Sequence, residues 1–360
     1  MRWWSATCLR IRSRSACRRP CDPGQCHDRD PVRQGTNHDL GVVAIGRNEG
    51  ARLRACLASV IAGAGCTVYV DSGSTDGSAE LARSMGAVVV DLDMRQPFTA
   101  ARARNVGFEM LLSTLPGVQF VQFVDGDCEV RPDWFVQARS FLDANPQVAA
   151  VCGRRRERFP ERSVYNLLCD LEWNTPIGDT RACGGDVLMR AAALRQVGGY
   201  RADLIAGEEP ELCIRLRGAG WRVWRADLEM TLHDAGMTRI GQWWKRTTRT
   251  GFAFAEGAHL HGASPERHWV RESRSAWLWG LGLPITIIGA ATLFSPWWWL
   301  VAALYPLQVL RLFLRGSGPV KARAWRAVFL VLSKFAEAYG QATFVARRWS
   351  GGPAKLIEYK

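Results

Sequence analysis

Two carboxylates close an apolar run near the middle of this 360-residue chain: Asp125 and Asp127, two residues apart. Residues i and i+2 of a strand point to the same face, so both carboxylates should leave the end of a strand side by side. Their charges repel unless a positive charge separates them, and Mg²⁺ or Mn²⁺ bound by one or two carboxylates is a common solution. The pair predicts a divalent-cation site, with a solvated loop as the alternative. A calcium-binding loop is excluded, because Val130 and Val136 stand where it needs glycine and its last ligand.

Strands alternate with helices upstream of this pair. Short β-branched or apolar runs at 41–46, 66–70, 87–90 and 118–124 alternate with helical patterns near 53–61, 78–85 and 99–113. Such alternation predicts right-handed βαβ crossovers and an α/β fold. Ligands of these sheets bind beyond the carboxyl ends of the strands. The turn after residue 46, Asp71 and the Asp125/Asp127 pair should therefore meet at one edge of the sheet.

Five motifs occur in a characteristic order along residues 40–256. They are Asn48-Glu49, the loop Asp71–Ser78, Ala103–Gly107, Asp125-Gly126-Asp127, and Gly207-Glu208-Glu209 followed by Leu212. In this order the motifs resemble those of the family 2 glycosyltransferases. The resemblance implies a GT-A fold, with a Rossmann-like, mixed and mostly parallel sheet, over residues 40–262. A Rossmann dehydrogenase is less favoured, because no G-x-G-x-x-G follows the first strand.

The resemblance implies roles for the residues at the strand ends. Asp127 would coordinate the cation, and Asp125 would contact the ribose of the nucleotide or assist the metal. Asp71 would hydrogen-bond the base or ribose, although a turn-stabilising aspartate has the same sequence pattern. Glu49 and Arg104 match nucleotide-contacting positions, and Arg104 could equally be a solvated helix arginine. A Mg²⁺ or Mn²⁺ ion would stabilise the departing diphosphate as a Lewis acid.

Acidic residues mark the start of a helix in the acceptor half of the domain. Pro210 suits the first helical turn, so Glu208 and Glu209 should lie at the helix N-terminus. Family members usually have Glu-Asp here, so the resemblance implies that Glu209 is the general base and that transfer inverts the anomeric carbon. The alternative is acidic residues that merely favour a helix start. Glu208 and Asp186, the latter in a glycine-led strand at 182–190, are further candidate contacts to the acceptor or diphosphate.

Three basic or metal-binding candidates follow. His233, after a predicted strand at 221–226 and a short loop, matches a further metal ligand of several relatives, with a structural histidine as the alternative. Arg246 and Arg249 could neutralise the diphosphate or flank a membrane. The segment ending at Lys245-Arg246 departs from the Gln-x-x-Arg-Trp motif of processive polysaccharide synthases, which argues against such an enzyme.

The C-terminal third predicts membrane attachment. Two apolar runs at about 277–294 and 296–314 are each just long enough to cross a bilayer. Tryptophans lie near the ends of the runs and arginines flank them, so residues 263–318 should form a hairpin with both ends cytoplasmic. A buried soluble hairpin is the alternative. Residues 319–360 predict an amphipathic interfacial helix and tail, and 327–346 could add a third span.

Composition limits the remaining choices. The net charge of +13 could indicate nucleic acid, but the sequence has no zinc-finger, RNP or recognition-helix signature. Residues 1–39 are arginine-rich and lack the apolar core of a signal peptide; we expect a disordered basic extension or an overextended start site. The four cysteines of that segment lack zinc-site spacing. The other seven are scattered through predicted core elements, as is typical of a reducing compartment.

These features predict an inverting glycosyltransferase at the cytoplasmic face of the inner or plasma membrane. The expected partners are a nucleotide sugar, a lipid-linked or polysaccharide acceptor and the membrane, in cell-envelope or exopolysaccharide synthesis, and no nucleic acid. The alternatives are a polyprenyl-phosphate glycosyltransferase, a nucleotidyltransferase, and a non-catalytic membrane-tethered sugar-binding protein.

Overall fold

A computed structural model describes residues 38–351. Residues 1–37 of the predicted basic extension and residues 352–360 of the tail therefore lie outside the described residues. Nine strands form one sheet. The strands are β1 (Leu40–Gly46), β2 (Cys66–Asp71), β3 (Val88–Asp91), β4 (Phe120–Asp125), β5 (Cys128–Val130), β6 (Val148–Glu157), β7 (Gly178–Asp179), β8 (Val187–Arg190) and β9 (Arg222–His233).

The sheet is mixed, and its order is β3-β2-β1-β4-β8-β6-β9-β5, with β7 also paired to β9. The first four strands in this order are parallel, as the βαβ pattern predicted. Strand β8 is antiparallel to both of its neighbours, whereas β6 and β9 are parallel. Because Gly46 pairs with Asp71 and Ile45 with Asp125, the ends of β1, β2 and β4 lie side by side. The predicted mixed α/β architecture is confirmed.

Helices cover both faces of the sheet and form the C-terminal region. They are α1 (Ala51–Val60), α2 (Ser78–Ser84), α3 (Ala100–Thr114), α4 (Trp134–Ala144), α5 (Val164–Glu172), α6 (Ala191–Gln196), α7 (Glu208–Gly218), α8 (Ile240–His261), α9 (Val270–Trp277), α10 (Leu283–Leu293), α11 (Leu304–Arg315) and α12 (Val320–Ser350). A π-helical turn, Leu278–Gly282, joins α9 to α10, and a 3₁₀ segment, Pro296–Ala303, leads into α11.

The main core lies between the sheet and its helices. Helix α3 approaches β1 closely at Gly107, where a Cβ would lie 2.9 Å from a methyl of Val70 and still closer to Val43. Trp134 of α4 is fully buried and donates a hydrogen bond of 2.7 Å to Gln122 of β4. Close helix contacts of this kind hold β1 and β4, whose ends carry the candidate site, in a fixed register.

The C-terminal helices have a different surface. The helices Val270–Leu293 and Pro296–Arg315 are long and apolar enough to cross a membrane, judged by length and composition alone. By contrast, α12 packs along α8 and buries Ala336, Glu337 and Gln341. A Cβ at Gly340 would overlap the carbonyl oxygen of Thr248. Helix α12, predicted to be interfacial, therefore buries one face against α8.

Candidate active site

A cleft of about 700 Å³ opens at the carboxyl ends of β1 and β4. This volume is within the usual range for sites that bind small molecules. Most of the predicted site residues meet here, together with several that the sequence did not single out. The cleft is lined by Ile45, Gly46, Arg47, Asn48, Glu49, Arg52, Phe98, Ala100, Arg104, Asp125, Gly126, Asp127, Arg155, Trp173, Gly185, Glu208, His233, Arg246 and Arg249.

Asp127 and His233 form the centre of the cleft floor. Asp127 Oδ2 lies 3.3 Å from His233 Nε2, and both side chains are almost fully buried. Strand pairing explains the contact, because His233 lies opposite Cys128, the residue after Asp127, in the antiparallel β5/β9 ladder. The sequence placed His233 after a strand and a loop. That prediction is wrong, because β9 continues through residue 226 and ends at His233 itself.

Glu157 lies behind His233. It is the partner of His233 in the parallel β6/β9 ladder, and its Oε2 lies 3.9 Å from His233 Nδ1. The carboxylate is itself held by Asn166 at 3.1 Å and by the backbone N–H of Ala235 at 3.0 Å. The distance to His233 is too long for a hydrogen bond, and His233 Nδ1 is buried without a hydrogen-bond partner among the described residues.

The donor set fits a divalent cation. One ligand atom each from Asp127, Cys128 and His233 lie within 4.8 Å of one another. Carboxylate oxygen and imidazole nitrogen suit Mn²⁺, whereas a thiol suits softer metals. Burial raises the pKa of Cys128 well above its usual value, so that the thiol stays protonated. Asp127 and His233 are therefore the two residues best placed to hold the ion.

Asp125 belongs to a charge network that also lines the cleft. Its Oδ1 accepts a hydrogen bond of 2.9 Å from Arg104, and Arg104 also donates to Glu208 Oε1 at 2.7 Å. Burial alone would lower the pKa of Arg104, but the two carboxylates outweigh it and raise that pKa. A Cβ at Gly185 would lie 2.8 Å from the end of the Arg104 side chain and would displace it. The solvated-helix alternative for Arg104 is thus wrong.

Arg155 joins the same network and was missed in the sequence. It lies 3.4 Å from Asp125 Oδ2 and 2.8 Å from the fully buried Asp186, and its guanidinium stacks over Trp173. Both oxygens of Asp125 contact guanidinium groups, but Asp125, Cys128 and Asp186 also place one potential ligand atom each within 4.8 Å of one another, so the metal role of Asp125 stays a prediction. Arg155 closely follows the apolar strand run Val148–Cys152, and this position at the end of a strand was the signal that could have identified it as a site residue.

Asp186 supports the network from beneath and does not line the cleft. Its two oxygens accept from the backbone N–H of Asp125 at 3.0 Å and from Thr231 at 2.8 Å. Asp186 is fully buried, and its contact with acceptor or diphosphate stays a prediction. Asp186 instead fixes the backbone of Asp125 and the side chain of Arg155.

Glu209 does not reach the cleft, contrary to its predicted place beside the acceptor. It points into the core, where its Oε1 accepts a hydrogen bond from the backbone N–H of Cys183 and contacts the thiol of Cys213 at 3.5 Å. Burial raises the pKa of this carboxyl. Glu208, the preceding residue in the first turn of α7, points in the opposite direction. Glu208 is therefore the carboxylate that lines the cleft.

The loops after β1 and β2 support each other at one end of the cleft. Asn48 Oδ1 accepts from the backbone N–H of Thr75 at 2.8 Å, and Glu49 pairs with Arg52 at 2.7 Å. Asp71 is buried and does not line the cleft. Its Oδ2 accepts the backbone N–H groups of Gly73 and Ser74 at 3.0 and 2.8 Å. The geometry of Asp71 is that of the turn-stabilising alternative.

Helix α8 brings two arginines to the other end of the cleft. Arg246 forms a bidentate pair with Glu172, at 2.8 and 2.9 Å. Arg249, one turn further along the helix, makes no ion pair with a carboxylate among residues 38–351. A guanidinium in this position is available for an anionic group of a substrate.

Part of the chain matches a known family of glycosyltransferases. Residues 42–184 match the family model described as glycosyl transferase family 2. The resemblance to the family 2 glycosyltransferases that the motifs indicated is thus confirmed over this stretch of the chain. The chain is also similar to the pre-mycofactocin glycosyltransferase of Mycobacterium tuberculosis strains CDC 1551 and H37Rv. The identity is 27% over 257 residues, covering 67% of this chain and 52% of the relative. The chain thus spans about half the length of the curated relatives it matches.

The three-dimensional comparison concerns the fold. The structure is similar to that of a mannosyltransferase from Pyrobaculum calidifontis, solved in complex with GDP-Man and Mn²⁺. The TM-score is 0.57 at 19% sequence identity, over 84% of this chain and 87% of that chain. The GT-A fold that the sequence predicted is confirmed.

Proposed function

We propose that the protein transfers a sugar from a nucleotide sugar to an acceptor hydroxyl, with inversion at the anomeric carbon. The observation that carries this proposal is the pairing of Asp127 with His233 in the cleft that the Asp125–Arg104–Glu208 network also lines. The pair offers ligands for a cation, and the network offers a carboxylate that can accept a proton. The family 2 domain and the glycosyltransferase relatives support the same reaction.

The donor would bind between the β1 loop and helix α8. Asn48 and Glu49 would contact the nucleotide, and Arg246 and Arg249 would face its diphosphate. A divalent cation held by Asp127 and His233 would neutralise negative charge on the departing diphosphate. Mn²⁺ is the ion present in the structure of the Pyrobaculum mannosyltransferase, which supports a role for Mn²⁺ or Mg²⁺ here.

Glu208 would act as the general base. It is the acidic residue of the α7 N-terminus that lines the cleft, and Arg104 holds its side chain in place at 2.7 Å. The base removes the proton while the hydroxyl attacks the face opposite the departing diphosphate, so the product has the inverted configuration. Glu209, in the position where the family places its base, would instead anchor the loop at Cys183.

The acceptor would be presented at a membrane. Many large apolar side chains of the two long apolar helices are solvent-exposed, among them Leu293, Phe294 and Trp297, as membrane-spanning helices require. A lipid-linked sugar, a polyprenyl phosphate or a growing polysaccharide at the cytoplasmic face would then reach the cleft. The role would be in cell-envelope or exopolysaccharide synthesis at the inner or plasma membrane.

The test separates metal binding from turnover. Purified protein is incubated with a panel of nucleotide sugars and extracted membrane lipids, and release of nucleoside diphosphate is measured with EDTA and after addition of Mn²⁺. Binding of Mn²⁺ is measured separately by electron paramagnetic resonance. We expect Asp127→Asn and His233→Gln to weaken Mn²⁺ binding at least tenfold and to lose turnover. Asp93→Asn is the control, because Asp93 lies outside the cleft and pairs with Arg95. Full turnover in EDTA would refute the metal-dependent reaction.

A further inference from the structure

Two cavities, joined by a shared wall, lie between the C-terminal helices, apart from the cleft. The first, of about 190 Å³, is lined by the guanidinium-bearing side chains of Arg315, Arg323 and Arg326. The second, of about 160 Å³, extends among α9, α11 and α12. Both cavities are lined by Leu312 and Leu330. These two leucines therefore form a wall between a basic end and an apolar end of the pair.

The basic end has no internal counter-charge. No carboxylate lines it, and none of its three arginines forms an ion pair with a carboxylate anywhere in residues 38–351. The Nε of Arg323 is buried without a hydrogen-bond partner in that part of the chain. The cavity also lies at the N-terminus of α12, which has no side-chain cap. The N-terminus of a helix favours an anion through its N–H groups and dipole.

The apolar end suits a hydrocarbon chain. Trp279, Leu312, Leu330 and Val331 form its walls. Lys334, the charged residue that also lines it, is neutralised by Glu337 at 2.6 Å. The outer face of α11 continues the apolar surface, with Leu307, Leu310 and Leu314 exposed.

We propose that the joined cavities bind one anionic phospholipid, with its phosphate among Arg315, Arg323 and Arg326 and an acyl chain along Leu312 and Leu330. The inference rests on the membrane attachment proposed above. An amphiphile with a negative headgroup matches both ends, and a zwitterionic lipid would leave the three guanidinium groups without a net counter-charge. The cytoplasmic leaflet supplies such lipids, and each basic residue near its surface adds to the attraction.

This site borders the proposed active site through α5. Leu171 lines the basic cavity, and Trp173, two residues later, lines the catalytic cleft. Glu172 between them holds Arg246 of the cleft. A bound lipid would therefore contact the helix end that also shapes one wall of the cleft.

The experiment measures lipid binding without relying on catalysis. Protein in a neutral detergent is titrated with phosphatidylglycerol, phosphatidylcholine or inorganic phosphate, and adducts are counted by native mass spectrometry. We expect one phosphatidylglycerol molecule to bind in preference to phosphatidylcholine. The double variant Arg315→Gln/Arg326→Gln should weaken that binding about thirtyfold, or about fivefold for each charge. Arg323→Gln is a second variant that tests the same cavity.

The matched control is Arg311→Gln/Lys321→Gln, which removes two exposed charges from the same helix ends outside the cavity. The control should keep the selectivity. Equal loss in the control, equal binding of the two lipids, or equal binding of inorganic phosphate would each overturn the lipid site. Partition of the protein into membrane fractions and release of nucleoside diphosphate are measured in parallel. Failure of membrane attachment or of the proposed reaction can then be told apart from failure of this inference.

Discussion

The side chains of the adjacent residues Glu208 and Glu209 point in opposite directions. Replacing each in turn by glutamine distinguishes their roles. Glu208→Gln keeps an acceptor oxygen for Arg104, which lies 2.7 Å away, but removes the basic carboxylate. Loss of a general base typically lowers turnover about 10²–10⁴-fold, equivalent to about 3–5 kcal/mol in the activation barrier. We expect this loss in Glu208→Gln with little change in donor affinity.

Glu209→Gln should behave differently. The glutamine oxygen can still accept the hydrogen bond from Cys183. The unfolding free energy should change by about 2 kcal/mol or less, a Tm shift of a few degrees. Turnover should stay within about threefold of the parent, because the side chain does not touch the cleft.

The assay is release of nucleoside diphosphate in the presence of the acceptor preparation. Donor binding is measured by calorimetry, and thermal unfolding is recorded for every variant. The opposite pattern would refute the reasoning: near-normal turnover in Glu208→Gln, and a loss of at least a hundredfold in Glu209→Gln at unchanged Tm. The base would then be Glu209, the position favoured by the family pattern, after a side-chain rearrangement on substrate binding.

Three further predictions concern stability and topology. Burial raises the pKa of Glu256 from 4.5 to about 7, so the folded protein retains a proton that the unfolded chain releases, and stability falls as pH rises between these values. Glu256→Gln should therefore raise the free energy of unfolding by about 1–2 kcal/mol at pH 8 and leave it unchanged near pH 4. This figure is smaller than the full pKa shift implies, because the side chain is only half-buried. An equal Tm gain at both pH values would contradict this. Gly340→Ala should cost about 1–3 kcal/mol, because its Cβ overlaps the Thr248 carbonyl, whereas Gly289→Ala, with nothing within 4 Å, should leave Tm nearly unchanged. In a cysteine-free background, an impermeant thiol reagent on intact cells should label a cysteine placed at Ser295 but not one at Ser350, and the reverse would refute the hairpin.

Local sequence patterns predicted the first half of the fold well. The β-branched runs became β1, β2 and β3, because such side chains fit a buried pleated surface. Asp125 and Asp127 were recognisable because they close an apolar strand, and Pro210 marked the start of α7. These signals depend on neighbours in sequence, so no knowledge of distant contacts was needed.

The rest of the site depends on contacts between distant segments. Glu209 turns inward because the backbone of Cys183 receives it, and Arg155 reaches the cleft because Asp186 and Asp125 neutralise it. His233 meets Glu157 only through the pairing of β6 with β9. Those pairings join residues up to about 80 positions apart, and periodicity in a short window carries no information about them.

The contact between α8 and α12 has a mechanical consequence. Arg246 and Arg249 of α8 face the cleft, while Gly251 of the same helix meets the backbone of Glu337 in α12. The exposed apolar hairpin lies between these two helices in the sequence. Because the two helices pack against each other, both ends of the hairpin are held in place. With the hairpin embedded in a bilayer, the cleft would stand at a set height above the lipid surface. The protein would then select acceptors by the distance between their lipid anchor and the reactive hydroxyl.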